Sequence, residues 1–238
     1  MQIDVNGCTL YYETAGTGRP LILLHGNGET HSIFDKAAAL LRDHFTVYLL
    51  DSRGHGQSSK VSSFHYADMA EDVRCFIEAL HLPSPFLYGF SDGGIIGLLL
   101  ACTYPSLLAG LIVSGANTEP TGLRPFWWRL FWLIGHITKD PKITLMLQEP
   151  HITKEQLAAI TTPTLVLAGS NDLIAETHTR SIAAAISGSS LRILPGEGHG
   201  SYVVHSEKIA SIILEYTKTI GRRPAARTLK PGSLIEWN

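Results

Sequence analysis

The chain has 238 residues, of which 45% are hydrophobic and 17% are charged. This length suffices for one α/β domain with a large core, and this composition excludes an intrinsically disordered chain. The 19 basic and 21 acidic residues give a net charge of -2, so the overall charge offers no reason to expect a nucleic acid or an anionic membrane as partner.

Apolar runs bounded by turn residues predict strands, and apolar positions at helical spacing predict helices. The chain opens with two strands joined at Asn6-Gly7, a turn typical of an antiparallel hairpin. Strands and helices then alternate. The predicted strands are PLILLHG, TVYLLD, PFLYGF, LAGLIVSG, TPTLVLAG and SLRILPG, and the predicted helices are YADMAEDVRCFIEAL, GGIIGLLLACTYP, AETHTRSIAAAI and SEKIASIILEYTKTI. This alternation predicts a doubly wound, mostly parallel α/β sheet whose ligand sites lie at the carboxyl ends of its strands.

One long insert interrupts the alternation, between the strands LIVSG and TLVLAG. This segment, residues 118–162, is mostly helical by its apolar spacing and is far longer than an ordinary connection, which predicts a short helical cap over the site. The core then comprises residues 1–117 and 163–220. Residues 221–238 contain two prolines, two glycines and four basic side chains without apolar periodicity, so we expect a weakly structured tail there.

The cysteines and the N-terminal sequence indicate the cellular compartment. Cys8, Cys75 and Cys102 are widely spaced and lack metal-ligand spacing, which is typical of structural thiols in a reducing compartment. The N-terminal residues lack the features of a signal peptide, and no apolar run reaches the ~18 residues of a membrane span. We therefore expect a cytoplasmic protein.

A serine flanked by glycines follows one of the predicted strands. Residues 89–93 read GFSDG and lie between a strand and a helix, which is the context of a G-x-S-x-G nucleophile elbow. Glycines two residues before and after Ser91 are needed because larger side chains would strike the neighbouring strand or helix. A chance GxSxG is common in isolation, but this placement favours Ser91 as a nucleophile.

A serine nucleophile needs a base, and the base needs an orienting acid. Asp172 follows the strand TPTLVLAG, and His199 follows the strand SLRILPG, so both lie in loops at the carboxyl ends of strands. Ser91, Asp172 and His199 then form a candidate catalytic triad in the order serine, acid, histidine. Glu119 and Glu197 are alternative candidates for the acid.

Two backbone N–H groups are candidates for an oxyanion hole, which such a nucleophile requires. Asp92 begins the helix after Ser91, and Asn27 lies between two glycines in the loop HGNG after the third strand. HGNG is alternatively a simple loop or a weak phosphate nest, although no GxxxxGK[ST] sequence accompanies it.

Together the motifs HGNG, DSRGHGQS, GFSDGG and GEGH, with the Asp172 loop, resemble the α/β-hydrolase superfamily over about residues 2 to 219. The resemblance implies a serine hydrolase that uses neither a metal nor an organic cofactor. It also implies that Asp51 and Arg53 fix the loop DSRGHGQS rather than act in catalysis. GFSDGG followed by TYPSLLAGLIVSGAN further resembles the biphenyl-hydrolase-like branch that includes valacyclovir hydrolase.

Two features of the sequence bear on the substrate. In the cap, Trp128, Phe131 and Trp132 recur at helical spacing, so we expect these aromatic residues to pack on the core and in part to line an acyl or aromatic pocket. A contact between subunits or with a membrane surface is the alternative. The Asp92 carboxylate is either a helix-start residue or a selector of cationic substrates.

These residues predict hydrolysis of a small carboxylic ester through an acyl-enzyme, with amino-acid or other cationic esters as one option. Lactone, amide and carbon–carbon bond hydrolysis remain open because the same triad serves them. A small-molecule receptor without turnover is a further alternative, since this fold also serves such proteins. The expected partner is a small ester substrate; the oligomeric state is not predicted.

Overall fold

The computed structural model describes residues 1–221. Its eight strands are β1 (Gln2–Val5), β2 (Cys8–Ala15), β3 (Arg19–Leu24), β4 (Phe45–Leu50), β5 (Phe86–Phe90), β6 (Gly110–Ser114), β7 (Thr164–Asn171) and β8 (Ser190–Gly198). Its helices are α1 (Asp35–Leu41), α2 (Tyr66–Ala79), α3 (Asp92–Thr103), α4 (Pro125–Thr138), α5 (Pro141–Gln148), α6 (Lys154–Ala158), α7 (Glu176–Ala185) and α8 (Lys208–Gly221).

The eight strands form one sheet in the order β1-β2-β4-β3-β5-β6-β7-β8. The pairs β1 with β2 and β2 with β4 are antiparallel, and all pairs from β4 to β8 are parallel. The opening hairpin pairs Val5 with Cys8 across the predicted Asn6-Gly7 turn. The predicted α/β fold with a mostly parallel sheet is therefore confirmed.

Helices cover both faces of the sheet because the central strands are apolar on both sides. In β3, Leu21 and Leu23 join the core beneath α1 and α8, whereas Ile22 and Leu24 join the core beneath α2, α3 and α7. This alternation follows from the two-residue period of a strand. Helix α1 is absent from the sequence-based assignment. It has only seven residues and follows a short 3₁₀ turn at His31–Phe34, so its apolar pattern is brief.

The segment between β6 and β7 contains a 3₁₀ turn, Pro120–Gly122, and the helices α4, α5 and α6. Its base is bound to the loop after β7, since Arg124 N–H donates to the Leu173 carbonyl and Ala175 N–H donates to the Gly122 carbonyl, both at 2.9 Å. The division into a core of 1–117 and 163–220 with a cap of 118–162 stays a prediction. The predicted tail falls almost entirely outside the described residues.

Within residues 1–221, no helix is long and apolar enough to cross a membrane.

Candidate active site

Ser91 stands in a sharp turn between β5 and α3. Its φ of 52° and ψ of -114° are strained for a residue with a side chain, as is common at functional sites. A Cβ atom on Gly89 would lie 2.1 Å from the Gly93 carbonyl oxygen, and one on Gly93 would lie 2.3 Å from the Leu24 carbonyl oxygen. Only glycine fits at these two positions, for the steric reason that the sequence suggested.

His199 connects Ser91 to Asp172 across the carboxyl ends of the sheet. Its Nδ1 atom lies 2.6 Å from Asp172 Oδ1, and its Nε2 atom lies 3.1 Å from Ser91 Oγ. Because a carboxylate only accepts, Nδ1 carries the proton and leaves Nε2 free to accept from the serine hydroxyl. Asp172 is buried, and its Oδ1 also accepts from the Ile174 N–H at 3.0 Å. The Phe90 ring packs against the imidazole, with centroids 4.9 Å apart.

The two alternative acids lie elsewhere. Glu197 is paired with Lys208 and accepts from the Ser201 hydroxyl. Glu119 is exposed and precedes the 3₁₀ turn Pro120–Gly122. The structure places Asp172, rather than either glutamate, at the imidazole.

The loop after β3 and the start of α3 present backbone N–H groups beside Ser91. The Gly26 N–H donates to Glu29 Oε2 at 2.9 Å, and the Gly28 N–H donates to His55 Nε2 at 3.1 Å. Among the hydrogen bonds of residues 1–221, the N–H groups of Asn27 and Asp92 have no protein acceptor. Both residues line the same cavity as Ser91. The arrangement leaves two donors available to an oxygen atom bound there.

Asp92 lines the cavity and is only 4% exposed. Its Oδ2 accepts from the Asn27 side-chain amide at 2.9 Å. Burial raises the pKa of Asp92 to about 6, an increase that Asn27, the nearby Tyr66 hydroxyl and His199 partly offset. The Arg124 guanidinium donates to the Ser170 carbonyl at 3.1 Å.

The cavity over Ser91 has a volume of about 490 Å³ and lies between the sheet edge and the segment that connects β6 to β7. Its lining residues include three acids, Glu29, Asp92 and Asp140, and one lysine, Lys142. Burial raises the pKa of Glu29. The apolar part of the wall comes mainly from Phe90, Leu123, Phe131, Ile143, Met146, Leu173 and Ile174.

Residues 19–139 match the sequence model of the family described as alpha/beta hydrolase fold. The chain belongs to this family. Membership in this family makes the chain a hydrolase.

Two curated relatives of this α/β hydrolase extend over most of the chain. The AB hydrolase superfamily protein YisY of Bacillus subtilis is 27% identical and covers 89% of this chain and 96% of its own length. The serine hydrolase BPHL of Mus musculus is 26% identical and covers 90% of this chain and 85% of its own length. The similarity to BPHL confirms the predicted resemblance to the biphenyl-hydrolase-like branch.

A solved structure supports the fold independently. A thermophilic esterase from Thermogutta terrifontis superposes with a TM-score of 0.76 over 92% of this chain and 99% of the esterase. The two sequences are 22% identical, so this likeness concerns the α/β-hydrolase fold alone.

The three cap aromatics predicted from the sequence lie in different places in this α/β hydrolase. Phe131 lines the cavity, whereas Trp132 is 50% exposed and stacks on His136, with ring centroids 5.6 Å apart. Trp128 is half-buried and does not belong to the cavity wall within the described residues. Gly135 packs closely on Ile143 of α5, and this contact holds α4 with Phe131 toward the cavity and Trp132 toward solvent.

Sequence reasoning missed several cavity residues of this α/β hydrolase. Glu29 directly follows the predicted oxyanion loop HGNG, so the acid in HGNGET was a usable signal. Tyr66, Asn117 and Lys142 carried no such signal, because tertiary packing alone brings them to Ser91.

The loop DSRGHGQS serves the architecture, as the resemblance implied. Burial would raise the pKa of Asp51, but hydrogen bonds from His31 and Gln57 outweigh burial and hold that pKa below its ordinary value. Arg53 forms a bidentate pair with buried Asp72, with N···O distances of 2.6 and 2.5 Å. The side chains of Asp51 and Arg53 thus fix the loop, and neither residue lines the cavity.

Residues 1–221 contain no group of three or more His, Cys, Asp or Glu side chains that could hold a metal ion.

Proposed function

We propose that this chain is a serine hydrolase that cleaves small carboxylic esters through an acyl-enzyme. The observation that carries the proposal is the position of His199, within hydrogen-bond reach of both Ser91 Oγ and Asp172 Oδ1. Acyl transfer by serine requires a nucleophile that is hydrogen-bonded to a base, and a base that is hydrogen-bonded to an orienting acid.

In the first step, Ser91 Oγ attacks the ester carbonyl carbon while His199 Nε2 takes the hydroxyl proton. The carbonyl oxygen becomes an oxyanion and accepts from the N–H groups of Asn27 and Asp92, and the helix start at Asp92 adds a favourable dipole. The C–O bond to the leaving group then breaks, and the imidazolium donates its proton to the departing alkoxide. Asp172 stabilises the imidazolium throughout.

In the second step, a water molecule donates its proton to His199 Nε2 and attacks the acyl carbonyl. The tetrahedral intermediate collapses, Ser91 regains its proton from the imidazolium, and the carboxylic acid leaves. A cavity of about 490 Å³ falls within the range of small-molecule sites, which supports a small ester as substrate.

The charge of the cavity wall favours esters that carry an amino group. Asp92 and Glu29 line the cavity together with Ser91, and Lys142 is the one lysine or arginine among its lining residues within the described part of the chain. Asp92 is almost completely buried, so its attraction for a substrate ammonium is screened less than at a surface. We therefore propose amino-acid or similar cationic esters as preferred substrates, with Phe131 contacting their apolar portion.

The mechanism is tested with Ser91→Ala and a short nitrophenyl ester. Loss of turnover by at least about 10³-fold is expected, since the nucleophile is removed. The exposed Ser187→Ala serves as the matched control and should keep wild-type turnover. Full activity of Ser91→Ala would contradict the mechanism, and a single turnover of wild type without cycling would indicate a receptor.

Substrate charge is tested with a pair of esters that have the same shape, one with an amino group and one with a methyl group in its place. Asp92→Asn keeps the backbone N–H and removes the carboxylate charge. It should lower kcat/KM about tenfold or more for the amino ester and much less for the neutral ester. Equal losses on both esters would refute cation selection while leaving the acyl-enzyme mechanism intact.

A further inference from the structure

Helix α4 exposes an apolar surface on the side that faces away from the cavity. None of its residues is fully buried, and Phe126, Leu133 and Ile137 are 68%, 49% and 71% exposed. With the half-buried Leu130 these residues are spaced four, three and four positions apart, which places them on one side of a helix. We call these four residues the outer face of α4.

The fold does not use this outer face. The opposite side of α4 holds the helix in place, since Phe131 lines the cavity and Gly135 packs on Ile143 and Leu147 of α5. Contiguous apolar surface left open in this way marks an interaction site in soluble proteins.

Aromatic and basic side chains border the outer face. Trp127 is 37% exposed and Trp132 is 50% exposed, on opposite edges of the stripe. Arg129 is exposed beside the stripe, and the exposed Lys139 caps the helix. The residues of α4, PFWWRLFWLIGHIT, include no acidic side chain. The outer face of α4 and its borders are therefore apolar and locally cationic, although the whole chain has a net charge of only -2.

We propose that the outer face of α4 docks on an anionic lipid surface, with the helix axis in the plane of the interface. An apolar stripe with tryptophan edges and basic neighbours suits the boundary between headgroups and acyl chains. A second copy of this chain suits the outer face of α4 less well. Two α4 helices packed together would bring the basic side chains Arg129 and Lys139 of both copies close to each other, and α4 contains no acid to pair with them.

This docking would place the cavity next to the lipid. Phe131 lies on the same helix as the outer face, so about one helix diameter of ~10 Å separates the surface from the cavity wall. Binding itself needs no catalysis, so the proposal does not depend on the ester chemistry proposed above.

The experiment is co-sedimentation of the full chain with vesicles of phosphatidylcholine and phosphatidylglycerol in equal amounts, compared with phosphatidylcholine alone. Wild type should bind the anionic vesicles more strongly, with a blue shift of tryptophan emission. Phe126→Ser/Ile137→Ser should weaken binding at least about tenfold, because two exposed apolar anchors are lost. Arg129→Gln should weaken it about fivefold, the effect of one charge near the surface.

Leu40→Ser is the matched control, because Leu40 is an exposed apolar residue of α1 on a different part of the surface, and it should bind as wild type. Circular dichroism and hydrolysis of a dissolved short ester establish that each variant is folded. Wild-type binding by Phe126→Ser/Ile137→Ser would overturn the proposal and assign any vesicle binding to another segment, such as the basic residues after 221. A wild-type dimer that the double variant converts to monomer would overturn it in favour of a second copy.

Discussion

The Asn27 side-chain amide donates to Asp92 Oδ2 at 2.9 Å and to the Lys142 carbonyl oxygen at 3.1 Å. One side chain thus joins the loop after β3, the turn that holds Ser91, and helix α5 over the cavity. The same residue offers its backbone N–H to the cavity, so its side chain holds in place the loop on which the proposed oxyanion site depends.

Asn27→Ala removes this link and leaves the backbone N–H in place. Because Asp92 loses a donor that favours its charged form, its pKa should rise and the amino ester should lose more kcat/KM than the neutral ester. The lost hydrogen bonds, one to the buried Asp92 carboxylate and one to the Lys142 carbonyl, predict a decrease of about 1 to 3 kcal/mol in the free energy of unfolding, measured with urea. Asn171→Ala, which removes an exposed amide with one long contact to Gly196, is the control and should change neither quantity.

Asp92 should reduce stability at neutral and alkaline pH. Its folded pKa of about 6 exceeds the ordinary value of 3.8, so the folded chain binds the proton more tightly than the unfolded chain. Stability is therefore lost as pH rises from 3.8 through 6, by about 3 kcal/mol in total. Asp92→Asn should be more stable than wild type by up to this amount at pH 8. The advantage should vanish below 3.8, and an equal advantage at both extremes would contradict the assignment.

The selectivity for cationic esters should also depend on pH. Asp92 attracts an ammonium group only when it is ionised, so the ratio of kcat/KM for the amino ester to that for the neutral ester should fall as pH falls through about 6. Taking the ratio cancels any pH dependence of the catalytic steps that the two substrates share. In Asp92→Asn the ratio should stay constant across this range. A wild-type ratio that does not change with pH would exclude Asp92 as the selector.

The buried pair of Arg53 and Asp72 should support stability without affecting chemistry. Asp72→Asn leaves the Arg53 guanidinium, 9% exposed, without its bidentate partner. A decrease of about 3 to 5 kcal/mol in the free energy of unfolding is expected, with turnover of the folded enzyme unchanged. Glu176→Gln, which breaks the exposed pair with Arg180, should cost less than about 1 kcal/mol. Similar losses in both variants would argue against a structural role for the buried pair.

His25 should make the protein sensitive to acid. Burial lowers its pKa from 6.5 to about 4, so the folded chain holds it neutral, with Nδ1 donating to the Gly26 carbonyl and Nε2 accepting from the Ser52 N–H. Stability present above 6.5 is then lost as pH falls toward 4, by about 3 kcal/mol for this group. His25→Gln should be less stable at neutral pH but should lack this part of the pH dependence. If the free energy of unfolding of wild type and of His25→Gln changed with pH in the same way, the lowered pKa of His25 would be refuted.

The sequence was sufficient where local patterns carry the structure. Continuous apolar runs predicted all of the central strands, because strands covered on both faces must be apolar throughout. The spacing of GFSDGG predicted the close approach at Gly89 and Gly93, since the turn itself demands it. Asp172 and His199 were predicted from their positions after strands, because parallel strands bring their carboxyl ends to one edge.

Tertiary structure decided the contents of the cavity and the outward surface of helix α4. Helical spacing predicted a shared role for Phe131 and Trp132. The packing of Gly135 on α5 instead directs Phe131 toward the cavity and leaves Trp132 50% exposed. The direction of the Asp92 carboxylate likewise depends on Asn27, a residue distant in sequence. Sequence by itself determines which residues recur on one strand or helix. Contacts between elements determine which of those faces meets a substrate, because packing orients each element as a rigid body.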